Sequence, residues 1–169
     1  LKYFGMNLSE DDKEKAVTQI NALLDTFIDA KEYGSILTVE EYEWGLLESF
    51  VADSEPTGQI SMETVGIEDT KEALLQMIEQ GKLLEEKYHV VVTNPPYMAI
   101  SNSNNKLNGY VNRKYIGGKT DMFSVFIERC LQFTIRNYYT SMITMQSWLF
   151  LTSFEKIRNK ILDNEIASL

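Results

Sequence analysis

The sequence predicts an α/β fold in its second half, ordered strand, helix, strand, helix, behind an acidic and mainly helical first half. Three observations predict it. A β-branched run, Tyr88–Thr93, stops at Asn94-Pro95-Pro96-Tyr97, where two prolines remove consecutive ladder donors and hold the chain extended. After it, Met122, Val125, Phe126, Arg129, Cys130 and Phe133 recur at helical spacing and lead into a second extended stretch at 138–145. Finally, residues 1–87 carry seven basic and twenty acidic side chains, a balance of −13, whereas residues 88–169 carry nine and five, a balance of +4. Strands separated by intervals of this length pair in parallel, and such sheets bind ligands at their carboxyl edge, where the 94–97 segment falls.

In the first half, residues 1–8 read as an undefined lead-in, and a first residue that is leucine rather than methionine suggests a chain cut from something longer. Ser9 followed by Glu10, Asp11 and Asp12 is a helix start, with Ala16, Val17, Ile20, Leu23, Leu24, Phe27 and Ile28 forming an apolar stripe that ends near Gly34. A second helix is expected over 39–51, with Tyr42, Leu46, Leu47 and Phe50 on one face. The turn-rich stretch 53–68 reads as a loop that permits a short strand at 59–65. A third helix follows over 69–87, with Ala73, Leu74, Met77, Ile78 and Leu84 apolar and Gly81 a weak point. These stripes are core, and no chemistry is assigned to them.

In the second half, residues 101–105 (Ser-Asn-Ser-Asn-Asn) and 106–120 read as a polar loop. It holds Lys106, Arg113, Lys114 and Lys119 with no acid between them, interleaved with Asn102, Asn104, Tyr110 and Tyr115 and closed by Gly117-Gly118. Basic groups for phosphates, amides for base edges and rings for stacking are what a DNA-contacting segment needs. Asp121 caps the next helix; a turn at Arg136-Asn137 leads to the second strand. Thr152-Ser153-Phe154-Glu155 has the pattern of a capping box opening a last helix with Phe154, Ile157, Ile161 and Leu162 inward, and residues 166–169 begin what reads as a further strand.

Composition limits the classes of function. With 44% apolar residues the chain can bury a core, and no stretch has the length of a membrane span or the form of a signal peptide, which reads as a soluble, cytoplasmic protein. One cysteine, Cys130, and one histidine, His89, offer neither an internal disulfide nor a metal site. Cys130 sits in an apolar helical run and reads as a buried inert thiol.

The 94–97 segment carries the chemistry. It presents the Asn94 amide, the Pro95 main-chain carbonyl and the Tyr97 ring within four residues. Two acceptors and a ring suit a planar NH2 group, each acceptor taking one N–H while the ring stacks on the face. Asn94-Pro95-Pro96-Tyr97 resembles motif IV of the amino-methyltransferases. With Met98, the run Asp121 to Cys130 and the run Met142 to Phe150, which contains Gln146-Ser147-Trp148, residues 88–169 resemble the PglX-type adenine-specific DNA methyltransferases of BREX phage-defence systems. Many of those relatives have Lys-Pro-Gly-Gly where this chain has the Arg136-Asn137 turn.

The resemblance implies part of a Rossmann-like methyltransferase sheet, S-adenosylmethionine as methyl donor, and DNA as partner, with an adenine flipped out of the duplex. Asn94 and the Pro95 carbonyl would then hold its amine, Pro96 would stiffen the segment and Tyr97 would stack. It also implies a glycine-rich turn after a strand and an acid on the ribose, yet none of the nine glycines makes G-x-G and no acid ends an apolar strand before residue 88. The expectation is therefore a helical segment, 1–87, joined to a partial catalytic domain, 88–169, of a larger methyltransferase. Its partners would be the remainder of that protein, other defence subunits and, for an open sheet edge, a second copy. The same tetrapeptide occurs in protein-glutamine and RNA guanine amino-methyltransferases, and a helical interaction module with a vestigial motif is the non-enzymatic alternative.

Overall fold

The computed structural model describes residues 1–54 and 62–166. The chain divides into two compact units: residues 1–30 with 37–85, and residues 31–36 with 86 onward. Nothing in the sequence marks 31–36 as belonging with the second unit.

The first unit is helical. Helix α1, Glu10–Phe27, begins at Ser9, whose side chain accepts a hydrogen bond from the Asp12 N–H at 3.2 Å, and buries Ala16, Ile20 and Leu23. It stops at Phe27 rather than near Gly34; a short helix, α2 (Ala30–Tyr33), follows before Gly34 turns the chain at φ 54°. Helix α3, Trp44–Ala52, starts five residues later than its apolar pattern suggests. Residues 42–44 form a tight turn, in which the Trp44 N–H bonds the Tyr42 carbonyl, and the Glu43 N–H donates to Gln19 on α1 at 2.9 Å. Helix α4, Met62–Glu85, covers most of the expected loop, so the strand considered at 59–65 does not form over its described part, 62–65. Helix propensity across 67–80 outweighs Gly66. Gly81 is a packing position: a Cβ there would lie 2.8 Å from the Trp44 ring.

Residues 1–8 are anchored, not loose. Phe4 is buried, pairs with Ser54 in an antiparallel bridge and packs against Phe50. Gly5 adopts φ 65°, and a Cβ there would meet the Phe50 ring at 2.5 Å, so glycine is required by conformation and by space.

The second unit is built on two parallel strands, β1 (Tyr88–Thr93) and β2 (Thr134–Met142), paired Val90 to Tyr139, Val91 to Thr140, Val92 to Ser141 and Thr93 to Met142. β2 starts and stops earlier than the expected 138–145. The turn expected at Arg136-Asn137 is instead a bulge inside it: Tyr88 pairs with Thr134, so residue 89 faces residues 135–138, with Asn137 at φ 69°. Asparagine tolerates that left-handed geometry where a β-branched residue would not.

Between the strands lie α5 (Asn105–Lys114) and α6 (Met122–Phe133), and α7 (Glu155–Leu162) follows β2. α6 packs against both strands, and Phe123, Ile127, Trp148, Phe154 and Ile157 form a core that Met142 joins from β2. The opposite sheet face is open: Val92 is 71% and Tyr139 69% exposed. β1 is thus only half-buried at Tyr88, Val91 and Thr93 and exposed at His89, Val90 and Val92, because no described element covers the second face. Asp121 caps α6 and forms a capping box with Ser124. The capping box expected at 152–155 does not form, because Thr152–Phe154 is itself a 3-10 turn and Phe154 is committed to the core. Leu162 is exposed, not inward. Ile166 lies outside any strand, and 167–169 lie outside the described residues. Among the described residues no helix is long and apolar enough to cross a membrane.

Candidate active site

The prolines end β1 one residue before Asn94 and send the chain out from the carboxyl edge of the parallel pair. Pro95 is buried, whereas Asn94 and Pro96 are exposed and the Tyr97 ring is half-exposed. The segment is fixed at both ends. Upstream, the Ile143 N–H donates to the Thr93 carbonyl at 3.3 Å; downstream, the Met98 N–H donates to the Asp121 carboxylate at 3.3 Å and the Met122 N–H to the Met98 carbonyl at 2.9 Å. Ala99 and Asp121 form an antiparallel bridge. Asp121 therefore caps α6 and holds the far end of the motif at once.

Tyr97 donates its hydroxyl to the Ile143 carbonyl at 3.0 Å and lies 3.5 Å from Asn94 Oδ1, at the limit of a hydrogen bond. Its single proton is committed to Ile143, which leaves Asn94 Oδ1 able to accept from a ligand. The Pro95 carbonyl accepts no hydrogen bond from the described residues. Behind Tyr97 the Phe123 ring packs edge-on at 6.3 Å. An exposed amide acceptor, a main-chain carbonyl with no partner among the described residues and a half-exposed ring therefore fall within four residues, groups of the kind that suit a flat group bearing two N–H bonds.

The expected DNA-contacting residues are divided by the fold. The 106–120 stretch is not a loop: α5 occupies 105–114, capped by Asn104, which accepts from the Leu107 N–H at 2.9 Å. Tyr110 and Tyr115 are buried, with both hydroxyls directed to the Ile36 carbonyl, at 3.4 and 2.5 Å, and Tyr110 stacks on Tyr33 at 4.1 Å. Their rings are core and are not presented for stacking, because burying them is what holds an Asn- and Gly-containing helix in place. Burial raises the Tyr115 pKa above the usual tyrosine value. Asn102, Asn104, Lys106, Arg113, Lys114 and Lys119 are exposed; Asn104 Nδ2 also donates to Glu32 at 2.5 Å.

Sequence reasoning placed Arg129 on the inward stripe of α6 but did not see that it and Glu128, both 5% exposed, are buried charges. Arg129 Nε donates to the Ser35 carbonyl at 3.0 Å and its guanidinium lies 3.7 Å from the Phe133 ring centroid. Glu128 accepts from the Gly118 N–H at 3.0 Å and pairs with Lys160. No sequence signal separates such side chains from surface charges at helical spacing. Cys130 is buried, and burial pushes its thiol up to about 11.

The described residues do not fit a methyl-donor cradle. Eight of the nine glycines are described, and none follows β1 or β2: Gly45, Gly66, Gly81 and Gly109 are within helices, Gly117 and Gly118 pack on α6, and Gly5 and Gly34 turn the first 36 residues. Neither strand ends in an acid. Among the described residues no group of three or more His, Cys, Asp or Glu could hold a metal ion.

Comparison with known proteins extends the likeness beyond the second unit. The family described as Eco57I restriction-modification methylase matches residues 6–168, and so takes in the helical unit as well, beyond the 88–169 expected from motifs. The chain is 33% identical over 144 residues to an adenine-specific methyltransferase, PglX, of Lacticaseibacillus casei (strain Zhang), covering 84% of this chain and 12% of that protein. It is 32% identical over 142 residues to an adenine-specific methyltransferase, BrxX, of Escherichia coli O9:H4 (strain HS), covering 82% of this chain and 11% of that protein. The chain thus spans about one eighth or less of the relatives it matches. By this match along nearly its whole length, the chain belongs to the Eco57I restriction-modification methylase family.

Proposed function

We propose that the chain supplies the target-base half of an S-adenosylmethionine-dependent methyltransferase acting on the exocyclic N6 amine of adenine in DNA, in restriction-modification or in BREX phage defence. One observation carries the reading: the exposed Asn94 amide lies beside the half-exposed ring of Tyr97, whose hydroxyl is anchored on the Ile143 carbonyl, at the carboxyl edge of the parallel pair. The family match and the names of the two relatives support it.

An aromatic amine is a poor nucleophile because its lone pair is delocalised into the ring. Accepting one N–H at Asn94 and the other at Pro95 favours a more tetrahedral nitrogen and aims its lone pair outward, which is catalysis by positioning and electrostatics with no strong base. The half-exposed Tyr97 ring stacks on the flipped base, a geometry unavailable inside a duplex. The methyl donor would be held by the rest of a longer protein, since these residues lack a cradle for it. Exposed Arg113 and Lys114 on α5 would lie toward phosphates. Protein-glutamine and RNA guanine substrates would use the same two acceptors, but the relatives' names specify adenine, the family is one of restriction-modification, and the basic balance of residues 88–169 favours a nucleic acid over a protein.

The test is transfer of a labelled methyl group by the full-length protein to duplex DNA, RNA and protein offered in parallel, with digestion to nucleosides or amino acids. Label in N6-methyladenine supports the reading. Label only in protein or in RNA guanine, with DNA untouched, refutes it.

A further inference from the structure

A second feature of this unit lies apart from Asn94 and Tyr97. Loop 116–120, between α5 and α6, faces the turn 152–156 that opens α7, and the two walls enclose a cleft of about 190 Å³. A space of this size is below the roughly 300 Å³ at which pockets for drug-sized ligands begin, and it suits a single small polar group. Lys119 stands on one wall and Lys156 on the other, and neither has an ion pair or hydrogen bond among the described residues. Thr120, Thr152 and Ser153 add hydroxyls, and Ile116, more than half exposed, adds an apolar edge. Glu155 is the one acid on the lining, so the charge there is two positive against one negative.

The cleft is built rather than incidental. Buried Glu128 holds both walls: one carboxylate oxygen accepts from the Gly118 N–H at 3.0 Å, and the other pairs with Lys160 on α7. Ser124 Oγ donates to the Gly118 carbonyl at 2.6 Å. The turn side is pinned separately, because Arg158 donates to the Trp148 and Leu151 carbonyls at 2.7 and 2.6 Å and Phe154 packs on Phe123 at 5.4 Å. Phe123 is also the ring behind Tyr97. A single aromatic, Phe123, therefore packs on both Tyr97 and the Phe154 ring of the turn beside the cleft.

We infer that this cleft takes a backbone phosphodiester of the DNA whose base enters the Asn94 site, with Lys119 and Lys156 as its cations, the hydroxyls as additional donors and Ile116 against the sugar. The inference rests on the DNA reading above and adds to it a phosphate site, Lys156 as a contact, and an opposing role for Glu155. A carboxylate on the lining repels phosphate and limits affinity, which favours release of the product strand.

Duplex binding by the full-length protein, followed by fluorescence anisotropy over a salt series, tests it. Lys119→Ala with Lys156→Ala should weaken binding and lower the slope of log affinity against log salt by about one unit, since each phosphate neutralised contributes about 0.9. Glu155→Gln should tighten binding, an effect that damage to the fold would not produce. Unchanged affinity and slope in the double variant, while the wild type binds and methylates adenine, overturns the cleft and leaves the adenine reading standing. Wild-type protein that neither binds DNA nor methylates it overturns both. Displacement by inorganic phosphate beyond that by chloride at equal ionic strength, with the lysines silent toward DNA, assigns the cleft to a free anion and likewise overturns the inference.

Discussion

The Tyr97 hydroxyl donates to the main-chain carbonyl of Ile143 at 3.0 Å, tying the segment that leaves β1 to the residue that follows β2. The bond spans the two parallel strands at their carboxyl edge. It sets the plane of the Tyr97 ring and keeps the hydroxyl from competing for Asn94 Oδ1.

Tyr97→Phe keeps the ring and removes this bond. A hydrogen bond of this kind contributes about 1 kcal/mol to stability, so the melting temperature should drop by a few degrees while methylation falls modestly. Tyr97→Ala removes the stacking face too and should lower activity far more than the Phe variant. Equal losses in the two would mean that the ring does not touch the base.

Gly118→Ala is predicted to be among the most damaging single substitutions in the second unit. Its Cβ would lie 2.5 Å from the Ser124 carbonyl oxygen and 2.8 Å from the Val125 nitrogen, backbone atoms of α6 that cannot swing away. A cost of about 2 to 4 kcal/mol follows, from strain and from displacing the Glu128 bond. Chemical denaturation of the variant measures it. A change below about half a kcal/mol would show that the loop yields freely.

Stability should fall in alkaline solution. Burial raises the Cys130 thiol to about 11 and also raises Tyr115. A folded-state pKa above the unfolded value means that the native state binds more protons, so the stabilisation is intact below about pH 8.5 and is lost as pH rises toward 11. Tyr115 adds to the loss above about pH 10. For Cys130 the loss is about 2 kcal/mol, and Cys130→Ala should flatten the profile between pH 9 and 11. The thiol should also resist alkylation at pH 8 until the protein unfolds; rapid modification of native protein would contradict its burial.

The chain by itself should bind S-adenosylmethionine no better than about millimolar, roughly 4 kcal/mol, because the described residues supply no glycine turn or ribose acid. Calorimetric titration of the isolated chain is the check. Micromolar affinity would reveal a donor site among these residues.

Much of the site was legible because local chemistry dictates it. Two consecutive prolines must end a strand, and a strand, helix, strand spacing must return parallel, which is how Asn94 reaches the carboxyl edge. Asp121 was readable as a cap from its place before an apolar helical stripe. What was not legible depends on distant partners. Asn, Gly and Lys at 105–114 read as loop, and the segment becomes helical because Tyr110, Val111 and Tyr115 are buried, the two tyrosines against residues 33–36. Docking of 31–36 in the second unit leaves no trace in a polar stretch ending in Gly34-Ser35. Likewise, the Arg136-Asn137 break was visible, but only pairing with β1 turns it from a turn into a bulge.

The most direct test of the account is Asn94→Ala in the full-length protein, assayed for methyl transfer to DNA adenine alongside DNA affinity and melting temperature. Asn94 is exposed and contributes no more than a marginal contact to the fold, so stability and DNA binding should hold. Losing one preorganised contact to the reacting nitrogen should cut the rate about a hundredfold or more. Adenine methylation at the wild-type rate would contradict the assignment of this segment as the amine site.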